Sequence, residues 1–379
     1  MAKTATIDVH NNDQIAALKD LAQSVLAMDE IAAILVPRRL PLQALVMPVL
    51  VSDPDQLEGM DPLAPAFAFN AAKMVSRLTR RSAGQKVAVM LRPCEIRAFV
   101  ELVKLKQGRR EDVVIIGCDC PGAFSNKDYL AFVQDQGPES TSHFFKIAMD
   151  PSVTALDAFS LAPACRACEQ FVPHGADLAV LLFGVDTRSQ LVIQATSDPG
   201  EAMLDRLALS PTQPPSQRDA AVQALMDKRL AVRDRMIADT GAATDSLEKL
   251  SAYLANCVNC YNCRVACPVC YCRECVFVTD VFDHDPGQYL GWAKRKGAIK
   301  MPTDTLFYHL TRLAHMSTAC VGCGQCSNAC PNEVPVMELF RSVALRTQAA
   351  FEYQAGKDVE QKPPLSEFRE QEFEEVVGI

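Results

Sequence analysis

Cys257-Val-Asn-Cys260-Tyr-Asn-Cys263-Arg-Val-Ala-Cys267-Pro268 is a run of four cysteines spaced C-x2-C-x2-C-x3-C-P. The same spacing returns in Cys320-Val-Gly-Cys323-Gly-Gln-Cys326-Ser-Asn-Ala-Cys330-Pro331. Two-residue gaps let three thiolates converge on one iron–sulfur cubane while backbone amides point at its sulfides. The fourth Cys, on the following turn, reaches the other cluster. The spacing therefore predicts one [4Fe–4S] cluster on Cys257, Cys260, Cys263 and Cys330, and a second on Cys320, Cys323, Cys326 and Cys267. A zinc ribbon needs only two C-x2-C pairs and no C-P closure, so two full copies of the longer run favour clusters.

This part resembles a bacterial two-cluster ferredoxin domain, with one departure: 52 residues separate Cys267 from Cys320. The insertion carries Cys270, Cys272 and Cys275, then Trp292 and the segment Phe307-Tyr-His-Leu-Thr-Arg-Leu-Ala-His315. His309 and His315 are six apart, off one helical face, which suits packing or hydrogen bonding better than joint ligation.

The rest of the composition narrows the class. A chain of 379 residues suits two or three domains, and 49% hydrophobic residues suffice for a sizeable core. The net charge of −8 excludes the dense basic face that nucleic-acid binding requires. No apolar run reaches the roughly 18 residues of a membrane span, and the N-terminus lacks a signal-peptide pattern. A cytoplasmic protein is expected. There, 16 cysteines, eleven of them between Cys257 and Cys330, read as metal ligands rather than disulfides.

Residues 1–120 alternate helix and strand, which argues for an α/β sheet. Asn12 or Asp13 can cap a helix running to about Met28. Strand candidates are Ile31–Val36, Leu45–Val51, Lys86–Leu91, Asp112–Ile116, Asp177–Phe183 and Gln190–Ala195. Pro48 makes the second an edge strand or a turn. Asn70–Arg80 and Cys94–Lys106 read as intervening helices, and Arg218–Asp239 as a charged surface helix. The end of the chain carries seven acidic side chains from Asp358 onward and reads as a solvated tail.

Five further cysteines stand in Arg92-Pro93-Cys94, Gly117-Cys118-Asp119-Cys120 and Cys165-Arg-Ala-Cys168. The first two groups lie where expected strands end, the edge at which open α/β sheets bind ligands. Buried free cysteine is common, so position alone argues only modestly for a third metal site.

Val87-Ala-Val-Met-Leu-Arg-Pro-Cys-Glu-Ile-Arg-Ala98, Ile115-Ile-Gly-Cys-Asp-Cys120, and Cys165-Arg-Ala-Cys168 followed by Ala176-Asp177 and Gly184 carry a resemblance. Over about residues 10–241 the chain resembles the beta subunit of coenzyme F420-reducing hydrogenases and formate dehydrogenases. The resemblance implies a [4Fe–4S] cluster on Cys94, Cys120, Cys165 and Cys168 beside an FAD, with Asn70, Lys73 and Arg92 as candidate flavin contacts. It implies an α/β (α+β) flavin and iron–sulfur domain over 1–241. A ferredoxin-like α+β domain with the extra-cysteine insertion follows over 242–346, then the acidic tail 347–379.

No G-x-G-x-x-G or Walker A run occurs, so the hydride partner, F420 or NAD(P), is not fixed by motif. No molybdenum, tungsten or nickel site is evident, and no catalytic residue can be assigned. The resemblance therefore implies an electron-transferring subunit whose formate dehydrogenase or hydrogenase partner does the chemistry, with heterodisulfide-reductase-type subunits as further partners. A flavin-free electron conduit and a scaffold that has lost its cofactors are the rival readings.

Four cysteines remain after three sets of four: Cys118, Cys270, Cys272 and Cys275. They suffice for a fourth cubane between the two domains. A zinc site with His284 and a turn of structural thiols are the alternatives.

Overall fold

The computed structural model describes residues 3–41, 44–82, 84–150, 159–272, 274–279, 285–296 and 304–367. Its first half is built on strands β1 (Thr4–Asp8), β2 (Ile31–Arg39), β3 (Val46–Val51), β4 (Lys86–Leu91), β5 (Val113–Cys118), β6 (Leu178–Leu181), β7 (Gln190–Ala195) and β8 (Ser210–Pro211). They form one mixed sheet in the order β3-β2-β4-β5-β6-β7-β1-β8. The central strands β2, β4, β5 and β6 run parallel. Strands buried on both faces read as continuous apolar runs, and Val-Val-Ile-Ile-Gly-Cys of β5 is buried throughout. Pro48 lies in β3, at the sheet edge, where a missing N–H costs no ladder bond.

Helices α1 (Gln14–Leu26), α2 (Ala72–Leu78) and α3 (Pro93–Lys104) connect the strands. The Asp13 side chain caps α1 by accepting from the Ala16 N–H. Helices α4 (Asn126–Gln136), α5 (Ser140–Ala148), α6 (Pro163–Arg166) and α7 (Asp198–Leu207) follow. The second half is helical: α8 (Arg218–Ala243), α9 (Leu247–Tyr253), α10 (Asn262–Ala266), α11 (Pro286–Lys296), α12 (Asp304–Met316), α13 (Gln325–Asn328) and α14 (Val336–Ala350). Among the described residues no helix is long and apolar enough to cross a membrane.

The two sheet faces have different partners. On one, Leu18, Leu21 and Leu204 pack against Ile34, Ile116 and Ile193. On the other, Ile96 and Phe99 of α3 share a core with Tyr308, Val321 and Phe340 from the second half. That core is continuous across residue 241, so the two halves are packed together rather than strung on a linker.

The start of the acidic tail differs from the expected solvated end. Tyr353 and Ala355 are buried against α3. Arg97 donates two hydrogen bonds to the Ala355 carbonyl, at 3.0 and 2.8 Å, and Glu101 accepts from the Gly356 N–H at 2.7 Å. Gly356 has φ +73, and a Cβ there would meet the Arg97 carbonyl at 2.4 Å, so only glycine fits the strap. A carboxylate and two guanidine bonds hold this segment, a feature that charge counting along the tail does not reveal.

Candidate iron–sulfur centres

The two four-cysteine runs fold alike. In each, the residues flanking the middle cysteine have left-handed backbone: Asn259 and Tyr261 at φ 53 and 60, Gly322 and Gly324 at φ 70 and 79. Helices α10 and α13 start at once after Tyr261 and Gly324. Left-handed residues turn successive N–H groups inward, the arrangement that receives anions. The Asn259 N–H accordingly bonds Cys257, and the Gly322 and Gln325 N–H groups bond Cys320 and Cys323.

Outside these runs, Cys94 sits one residue inside the N-terminus of α3, and Cys120 follows β5. Both lie at the carboxyl ends of parallel strands. Cys165 is on α6 and Cys168 just beyond it. The Gly122 and Ala123 N–H groups face Cys120 and Cys165.

Mutual electrostatics sorts these cysteines into three sets. Burial, then the charges of Cys263, Cys330 and Cys260, pushes the Cys257 thiol up. Burial, then Cys267 and Cys320, pushes Cys323 up, and Cys326 rises through burial with Cys267, Cys320 and Cys323 as neighbours. Burial, then Cys120 and Cys168, lifts Cys165 to about 11. The crossing of Cys267 and Cys330 between the two runs is thus present in the packing. One contact joins two sets: after burial, Cys323 is the largest influence raising Cys94.

Buried cations test whether an anionic cluster suits these sets. Arg97, Arg229 and Arg312 are at most 8% exposed, and among the described residues none is ion-paired with a carboxylate. Unpaired buried charges cost several kcal/mol, on the order of 3–5 when a partner is removed. Their anionic neighbours are sulfurs. Arg312 Nη1 lies 3.1 Å from Cys263 Sγ. Arg97 faces Cys168, and Arg229 lowers both Cys120 and Cys165. Among the described residues no three His, Cys, Asp or Glu side chains converge on a single metal ion. Zn–S bonds of about 2.3 Å would demand such convergence, whereas a cubane spreads its four thiolates around a larger core. Donor type, amide direction and orphan guanidiniums fit iron–sulfur clusters.

The candidate flavin contacts are otherwise engaged. The Asn70 side chain bonds Cys323 and accepts from the Ala72 N–H. Lys73 donates to the Val265 carbonyl, beside Cys267 and Cys270. Arg92 donates to the Ala64 carbonyl at 2.6 Å, lies over the Phe67 ring and faces Cys120, Cys94 and Cys165. All three surround cysteines, so none marks a flavin site.

Cys118 is not brought to Cys270, Cys272 and Cys275. It shares one face of β5 with Val114 and Ile116, in the core beneath α1, because side chains alternate along a strand. Cys270 and Cys275 flank the opposite core. Burial, then Cys267, lifts Cys270 to about 11, and Cys272 is exposed beside it. The expected four-cysteine set therefore lacks its fourth thiolate; His284 lies outside the described residues, as does the Trp292 side chain.

Sequence reading missed the role of α12. His309 is 1% exposed, with Nε2 3.3 Å from Cys257 Sγ, whereas His315 is exposed. The Tyr308 hydroxyl lies 3.3 Å from Cys263 Sγ. The signal available was helical spacing: Tyr308 and Arg312 are one turn apart and share a face.

Residues 84–211 match the family described by the C terminus of the coenzyme F420 hydrogenase/dehydrogenase beta subunit, and residues 315–336 match the 4Fe-4S binding domain. The chain is 25% identical over 318 residues to the F420-dependent formate dehydrogenase subunit beta of Methanocaldococcus jannaschii, covering 78% of this chain and 79% of that protein. It is 26% identical over 305 residues to F420-dependent formate dehydrogenase 1 subunit beta of Methanococcus maripaludis, covering 74% and 75%. A chain of the F420-reducing [NiFe] hydrogenase complex from Methanosarcina barkeri is similar at TM-score 0.47 and 14% identity, over 65% of this chain and 93% of that one. The chain thus carries the beta-subunit domain of the coenzyme F420 hydrogenase/dehydrogenase family joined to a 4Fe-4S binding domain, and it stands among oxidoreductase subunits.

Proposed function

We propose that the protein is the electron-transferring beta-type subunit of a formate dehydrogenase or hydrogenase complex, with three [4Fe–4S] centres in line. Cys257, Cys260, Cys263 and Cys330 would hold the first, Cys267, Cys320, Cys323 and Cys326 the second, and Cys94, Cys120, Cys165 and Cys168 the third. The observation that carries this order is the Cys94–Cys323 approach, since it sets the second centre between the other two. Cys260 is exposed, which suits the first centre to exchange electrons with a partner subunit.

The chain's own residues hold this line together. Arg97 donates to the carbonyl of Val321, between Cys320 and Cys323. Arg341 donates to the carbonyl of Ala167, between Cys165 and Cys168. Each half thus grips the other's cysteine loop through a buried guanidinium.

The family resemblance supports an FAD beyond the third centre, and F420 or NAD(P) as hydride carrier. A bound flavin would collect electrons singly and release them as a pair. No step is derived through it, because the candidate contacts surround cysteines. The catalytic molybdenum, tungsten or nickel site would lie on the partner subunit, with heterodisulfide-reductase-type subunits as further partners in the cytoplasm.

The engagement of Asn70, Lys73 and Arg92 with sulfur surroundings favours a second reading, a flavin-free iron–sulfur conduit. Anaerobic purification separates the two. The proposal expects about 12 iron atoms per chain, four for each set, and flavin fluorescence after acid extraction. Full iron without flavin selects the conduit, and about eight iron atoms removes the third centre.

A further inference from the structure

The 52-residue insertion between Cys267 and Cys320 has no counterpart in the spacing of a compact two-cluster domain, yet it supplies α12. That helix lays three polar side chains on the ligands of one centre. Arg312 donates from Nη1 to Cys263 Sγ at 3.1 Å and from Nη2 to the Cys263 carbonyl at 3.3 Å. Tyr308 Oη lies 3.3 Å from Cys263 Sγ, and His309 Nε2 lies 3.3 Å from Cys257 Sγ. Arg312 is 4% exposed and held between aromatic rings, with its Cζ 4.7 Å from the centre of Phe340 and 5.5 Å from that of Tyr308. Its Nε has no hydrogen-bond partner among the described residues.

We propose that α12 is a potential-setting lid on the first centre, with Arg312 its principal element and Tyr308 its second. The inference rests on the reading that Cys257, Cys260, Cys263 and Cys330 hold a cluster. Adding one electron to a cubane makes the whole centre more negative, without a bond made or broken. Hydrogen bonds to the ligand sulfurs and a fixed positive charge stabilise that reduced state, which raises the potential.

The effect is selective. Arg312 touches Cys263 directly, and reaches Cys267 and Cys326 of the second centre only through longer-range charge. The cysteines of the third centre are not among the groups that act on it. Arg312 and Tyr308 are thus positioning residues for electron transfer: they touch the ligands of the redox group and rank its potential against its neighbours.

The test uses the full chain, purified anaerobically, with dithionite as reductant. Electron paramagnetic resonance follows each centre through a potentiometric titration, and the signal lost in Cys260→Ala identifies the first. Arg312→Leu should shift that centre to a more negative midpoint and leave the third unmoved. Arg312→Lys should recover part of the shift, and Tyr308→Phe should give a smaller shift in the same direction. Unchanged midpoints in both Arg312→Leu and Tyr308→Phe, at full iron content, overturn the proposal. If Arg312→Leu loses iron, Tyr308→Phe alone decides, because it removes one hydroxyl and keeps the ring. Failure of the underlying reading looks different: Cys260→Ala would then leave iron and spectrum as they were.

Discussion

The Cβ that Gly324 lacks would lie 2.5 Å from the Cβ of Ala164. The second cysteine run and the short helix bearing Cys165 therefore touch through a missing side chain. Gly324 also has φ +79, where an L side chain adds roughly 1–2 kcal/mol of strain. Ala164 is 5% exposed, and its Cβ cannot swing aside as the end of a long side chain would.

Gly324→Ala should consequently lower thermal stability by about 2–4 kcal/mol, the sum of backbone strain and overpacking. Differential scanning calorimetry of the anaerobic protein measures it. A loss below about half a kcal/mol, the scatter of a surface substitution, would mean that α6 and α13 are not in contact.

Cys118→Ala and Cys165→Ala separate a core thiol from an expected ligand. Cys118 is 8% exposed among Ile116 and Val180, so its loss should leave iron unchanged and cost only a small cavity. Cys165→Ala should lose about four iron atoms. Equal iron loss in the two variants would return Cys118 to the ligands.

The strap at the start of the acidic tail hangs on a buried pair. Lys104 and Glu101 are each 1% exposed and 3.0 Å apart, with the Tyr353 hydroxyl donating to Glu101 at 2.6 Å and accepting from Lys104 at 2.9 Å. Burial and the Glu101 charge push the Tyr353 phenol well above its ordinary range, so it remains a donor at neutral pH. Tyr353→Phe should cost about 1.5–3 kcal/mol, the usual contribution of a hydrogen bond to a charged group. Urea denaturation checks it, and an unchanged midpoint would show that the strap contributes nothing.

These contacts mark where sequence reading stops. The strands, the edge position of Pro48 and the Asp13 cap follow from period and propensity, which are local. The crossing of Cys267 and Cys330 is legible because the run itself encodes it. The sulfur neighbours of Asn70 and Lys73 depend on how two halves dock, and no local pattern carries that. Cys118 misleads for a related reason. Proximity to Cys120 in sequence suggests a shared site, but Cys118 is still in the strand, whose alternation turns it under α1, and Cys120 is past its end. Tyr308 and Arg312 sit on a visible helical face, yet only the docked helix shows that the face covers sulfur.

The last prediction follows from the unequal dependence of the two cores on iron. Leu18, Ile34, Ile116 and Ile193 pack beneath α1, where Cys118 is the only cysteine among the described residues of that core. The opposite core is bordered by Cys257, Cys267, Cys323, Cys326 and Cys330, and contains Cys263. Removing iron would leave Arg97, Arg229 and Arg312 buried without a counter-anion, a cost of several kcal/mol concentrated on that side. Chelation under anaerobic conditions should therefore open α10, α12 and α13 first, while α1, β1 and β7 stay closed. Hydrogen–deuterium exchange, compared before and after chelation, reads this segment by segment. Equal protection of α12 in both samples would mean that its packing stands without the clusters.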